Sequence, residues 1–145
     1  MTIRLPVQDL TPETLRAMRA LSKASGANSL DPALQELVKV RASQVNGCAY
    51  CVDLHLREAR EVGERQERLD LLAVWRDAPV FTEQERAALA LTEAVTKLSD
   101  GVPDDVWVEA VARFEERELA ELLWVIATIN AWNRVVATTH AWGVA

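Results

Sequence analysis

The run from Glu115 to about Thr139 constrains the fold most, because its Leu119–Val136 stretch carries apolar residues on most of its circumference. Such a helix is stable only when neighbours surround it. In a chain of 145 residues this is more apolar surface than one small domain usually hides, so the run predicts a bundle of helices and also self-association. The rest of the chain is punctuated to supply the neighbours. Thr11-Pro12-Glu13 and Asp31-Pro32 each set a capping side chain before a proline at the first helical position, where the missing N–H costs nothing. Thr82-Glu83-Gln84-Glu85 reads as a capping box, preceded by Phe81 as a staple, and opens an alanine- and leucine-rich run to about Leu98. Gly47 and Gly63 bracket one more segment, and Gly101-Val102-Pro103 opens another short helix. No segment reads as a convincing strand. The expected fold is all-α: a single-domain helical bundle of about six to eight helices over residues 1–145, assembled as an oligomer.

Charge narrows the partners. The net charge is −6 with a pI of about 5.0, and no basic stripe offers phosphate neutralisation, so nucleic acid is excluded as an expected partner. No window approaches the roughly 18 apolar residues of a membrane span, and Met1–Leu10 lacks a charged-then-apolar signal layout. These readings predict a cytoplasmic protein with no membrane partner. In that reducing compartment a close cysteine pair reads as a redox couple or a metal clip rather than a permanent disulfide.

The chain's two cysteines form such a pair, Cys48 and Cys51, one helical turn apart, with His55 a further turn along. On a helical wheel Cys48, Cys51, Val52, His55, Ala59 and Val62 share one side, and Asp53, Arg57, Arg60, Glu61 and Glu64 fall mostly elsewhere. The reactive groups thus face inward. The preceding helix, about Pro32 to Val45, has Leu34, Leu37, Val38 and Val45 on one stripe and Glu36, Val40 and Ser43 on the other, which marks it as central. Arg41 and Glu36 on those stripes each require a partner or a polar pocket. A short connection at Asn46-Gly47 folds the next helix back, so Glu36 comes within range of His55.

A free thiol with a pKa of about 8.5 is mostly protonated at neutral pH, and the thiolate is the nucleophile. Here the first turn of a helix favours the anion, His55 can take a proton, and Glu36 can orient the ring. Peroxide oxidises one such sulfur to sulfenic acid, and a neighbouring thiol condenses with it to a disulfide before over-oxidation. That cycle is a thiol peroxidase's.

The run from Glu36 through Cys51, closing at His55, resembles the core motif of the alkylhydroperoxidase D-like branch of the carboxymuconolactone decarboxylase family. The resemblance continues through Phe81–Leu89 and Ile129–Arg134 and so covers most of the chain. It implies an all-helical homo-oligomer, a trimer or hexamer. It also implies that Cys51 becomes the sulfenic acid, Cys48 resolves it, His55 relays the proton and Glu36 is the base behind it. By the same resemblance no cofactor is bound: the redox-active disulfide Cys48–Cys51 is recycled by an external dithiol reductant or reductase, and a hydroperoxide is the substrate. One position departs from the pattern, since Tyr50 stands where peroxidase members can carry a second histidine.

Other readings compete at each residue. Closed zinc sites need four ligands, and the chain offers only Cys48, Cys51, His55 and the distant His140, itself read as a surface residue. The pair could instead be a non-catalytic redox sensor or simple core filling in a structural helical module. A decarboxylase or isomerase using Glu36 and His55 would act without the sulfurs. Trp75, Trp107, Trp124, Trp132 and Trp142 read mostly as core or interface, and Asn130 and Asn133 as buried amides fixing a helix contact.

Overall fold

Helix α3 (Pro32–Asn46) is the axis of the molecule, packed on α4 (Ala49–Glu61), α6 (Glu83–Thr96) and α8 (Glu116–Thr139). The apolar residues on both sides of its sequence explain this: Leu34 and Val38 join the core built on α6 and α8, and Val40 joins a second core with Ala59, Leu72 and Leu89. Leu37, expected on the stripe of Leu34 and Val38, lies at its edge and packs instead with Val40 in the second core. The computed structural model describes residues 1–144. Ahead of α3 lie α1 (Val7–Leu10) and α2 (Pro12–Gly26); α5 (Gln66–Leu71) follows α4, and α7 (Asp104–Arg113) precedes α8. Short 3₁₀ turns at Leu72–Val74 and Leu98–Asp100 complete an all-α, single-domain bundle, with no strand among the described residues. None of these helices is long and apolar enough to cross a membrane.

The caps show how local sequence sets the boundaries. Asp31 accepts from the Ala33 N–H, and Thr82 and Glu85 close the expected capping box reciprocally. Glu115 and Glu118 form a second box at the start of α8. Thr11 departs from expectation. Its hydroxyl donates 2.9 Å to the Val7 carbonyl, closing the four-residue α1, and so caps nothing in α2.

The tryptophans divide. Trp75 is buried, and Trp132 and Trp142 pack edge-to-face, whereas Trp107 and Trp124 are 42% and 60% exposed. The buried-amide reading holds for Asn130 and Asn133. Asn46 Nδ2 donates 2.9 Å to the side-chain oxygen of each, and Asn133 Nδ2 donates 3.0 Å to Ser43 Oγ. These bonds fasten α8 to the last turn of α3, immediately before the cysteines.

Candidate active site

The turn carrying the cysteines begins at Gly47, whose φ of 67° is left-handed and suits a residue without a side chain. Its N–H donates to the Gln44 carbonyl, and the Cys48 N–H donates 3.0 Å to the Ser43 carbonyl, which is the Schellman pattern that ends a helix. Cys48 then serves as N-cap of α4, with its sulfur accepting from the Cys51 N–H at 3.4 Å. One residue thus closes α3 and opens α4. Cys48 and Cys51, with Cα atoms 5.3 Å apart, are joined as a disulfide and pack against Val136 of α8.

Because that turn folds α4 back along α3, Glu36 meets His55. Oε2 of Glu36 lies 3.0 Å from His55 Nδ1, and Oε2 of Glu58, on the same helix as the ring, lies 3.0 Å from the same nitrogen. Lys39 Nζ sits 2.8 Å from the other Glu36 oxygen. Arg41 bonds instead to Glu93 at 2.8 Å, so it leaves Glu36 to the site. Burial alone would lower the His55 pKa, but the hydrogen bonds to Glu36 and Glu58 prevail and raise it above the ordinary 6.5. Reciprocally, the bond from His55 holds the Glu58 carboxyl below its usual range. With Nδ1 tied to carboxylates, Nε2 is the nitrogen left to exchange a proton.

The ring and Cys51 line one cavity of about 350 Å³, enclosed by residues of α2, α3, α4 and α8 and by Trp142 beyond α8. Cys48, only 1% exposed, is outside that lining. Tyr50, at the departing position, lies against Trp142 with ring centroids 6.5 Å apart, so an aromatic wall stands where peroxidase members can place a second imidazole.

Of the four predicted site residues, Cys51 and His55 therefore line one cavity, with Glu36 joined to it through His55 and Cys48 through the disulfide to Cys51. Glu58 and Lys39 join them without having been predicted. Both carry a signal in the sequence, since each lies three residues from the group it contacts, the spacing of neighbours on a helix face. Glu36, His55 and Glu58 also offer three ligand atoms within 4.8 Å of one another, the set among the described residues that could hold a cation. His140 ends α8 in a left-handed conformation away from this cluster.

The family model of the carboxymuconolactone decarboxylase family matches residues 12–94, more than half of the chain. The chain belongs to that family. The uncharacterised protein YdfG of Bacillus subtilis is 34% identical over 136 residues, covering 93% of this chain and 92% of its own. Within the family the chain falls in the AhpD-like branch. A crystal structure from Agrobacterium tumefaciens, of a protein of unknown function proposed to be the antioxidant defence protein AhpD, superposes with a TM-score of 0.93. It has 37% identity and covers 97% of both chains. The debrominase Bmp8 shares the fold at a TM-score of 0.84 with 20% identity, covering 93% of this chain and 73% of its own.

Proposed function

We propose that the protein is a thiol-dependent hydroperoxidase in which Cys51 is the attacked sulfur. The observation that carries this reading is that Cys51 shares a cavity with His55 while its partner Cys48 stands behind it, outside the lining. In the reduced protein the Cys51 thiolate attacks the outer oxygen of a hydroperoxide. The O–O bond breaks, His55 supplies a proton from Nε2 to the departing alkoxide, and Cys51 becomes a sulfenic acid. Cys48 then attacks the Cys51 sulfur and expels water, giving the disulfide that the structure contains. An external dithiol returns both sulfurs to thiols and leaves as its own disulfide. Glu36 and Glu58 act through His55 and hold its tautomer and orientation.

A cytoplasmic setting, which supplies dithiols, belongs to the proposal, as does assembly into a homo-oligomer covering the exposed Trp107 and Trp124. Turnover tests the reading: with dithiothreitol as recycling reductant the protein should consume many equivalents of tert-butyl hydroperoxide, and Cys51→Ser should consume none. A structural pair would add nothing to the consumption by dithiothreitol alone.

A second reading rests on the Glu36–His55–Glu58 trio, which is complete without sulfur. A lyase or isomerase acting on a small carbon acid would keep its activity in a Cys48→Ser/Cys51→Ser protein, whereas the peroxidase would lose it.

A further inference from the structure

The cavity beside Cys51 is far larger than its smallest substrate would need. At about 350 Å³ it is roughly ten times the volume of a water molecule and falls within the range of small-molecule sites. Its walls toward α8 are apolar, formed by Val125, Ile129 and Val136, with Trp142 beyond. Two polar features are left over. Thr128 lines the cavity, is 6% exposed, and its Oγ1 has no hydrogen-bond partner. That oxygen is itself buried, so it marks a polar spot within the wall rather than a group open to the cavity.

Arg19 of α2 is the second. The other charged groups of the lining are already matched, Lys39 with Glu36 and His55 with Glu58. Arg19 contacts no carboxylate among the described residues, and it adds an uncompensated cation to the rim of an apolar chamber. A guanidinium so placed selects a carboxylate over a neutral group.

We propose that this cavity takes an organic hydroperoxide bearing a carboxylate, its apolar body against Val125, Ile129 and Trp142 and its carboxylate held by Arg19. The proposal rests on the peroxidase reading for the identity of the reacting group, and on the cavity alone for the anionic, apolar character of the molecule. Arg19 is a specificity residue, remote from the reacting oxygens.

A matched pair of substrates tests it: cumene hydroperoxide and its para-carboxylate derivative, each turned over with dithiothreitol. The wild-type protein should prefer the carboxylate by roughly two- to fivefold in kcat/KM, mostly through KM, the size expected for one exposed ion pair. In Arg19→Ala the ratio should fall toward one, and Arg19→Lys should restore part of it. A wild-type ratio near one, or an unchanged ratio in Arg19→Ala, overturns the proposal.

Binding of the alcohol product, the para-carboxylate of cumyl alcohol, separates this from the peroxidase reading. It is followed by fluorescence of the cavity tryptophans in the oxidised protein. If no hydroperoxide turns over but this alcohol binds and Arg19→Ala abolishes binding, the peroxidase reading fails and the cavity assignment stands. Absence of binding overturns the assignment.

Discussion

Replacing Glu36 with Gln should lower the pKa of His55, and by more than replacing Glu58 does. Both carboxylates lie 3.0 Å from Nδ1, but the Glu36 side chain is 9% exposed and that of Glu58 is 41% exposed. A hydrogen bond to a charged, buried partner contributes about 1.5–3 kcal/mol. At about 1.36 kcal/mol per decade, losing it weakens the imidazole's hold on its proton by roughly ten- to a hundredfold. The water-facing Glu58 bond is screened and contributes at most about 1 kcal/mol, or about fivefold. In the Glu36→Gln protein Lys39 also loses its partner, and its charge then pushes the His55 pKa further down. The assay is a ring-resonance NMR titration, simple here because the chain has two histidines and His140→Gln assigns the other. In the wild-type protein His55 should titrate above the ordinary 6.5. A larger shift in Glu58→Gln than in Glu36→Gln, or a rise in either, would refute the reasoning.

The same ion pair links stability to pH. Because the folded His55 pKa is raised, its contribution is fully present below about 6.5 and is lost as pH rises through the folded value. On the acid side Glu58's lowered pKa makes the pair's contribution fade as pH falls through that value. Urea unfolding should therefore show wild-type stability declining from pH 6 to pH 9 more steeply than that of His55→Gln; parallel profiles would contradict this. Asn133→Ala removes one of the two acceptors of Asn46 and the donor to Ser43, and should cost roughly 1–3 kcal/mol in the same assay. Gly47→Ala should cost about 1–2 kcal/mol through its left-handed backbone. Nothing lies within 4 Å of the added methyl, so loss of a folded state altogether would contradict a purely conformational cost.

The parts of the fold readable in the sequence are those governed by local chemistry. The capping box at Thr82, the Asp31 cap and the central, two-sided character of α3 each depend on residues within a turn or two of each other. Each appears in the structure, although Leu37 packs with Val40 rather than on the stripe of Leu34 and Val38. Helices α1 and α5 are too short to show a period, and Thr11 misleads because its hydroxyl has a backward partner in a helix with no sequence signal. At the site, the Glu36–His55 contact follows from a short reversal at Gly47 between two amphipathic helices. Glu58 is legible too, at three residues from His55, but a helical wheel read for apolar residues passes over a second carboxylate. Arg19 and Thr128 are not legible. They meet the cysteines' cavity only because α2 packs across α8, and no periodicity within either helix reports that crossing.

Trapping the oxidised sulfur tests the central assignment most directly. Cys48→Ser, reduced and then given one equivalent of tert-butyl hydroperoxide with dimedone present, should carry a dimedone adduct on Cys51 when its peptides are weighed. Cys51→Ser treated alike should carry none on Cys48, which lies outside the cavity. An adduct on Cys48, or none on Cys51, would contradict the assignment of Cys51 as the sulfur that meets the peroxide.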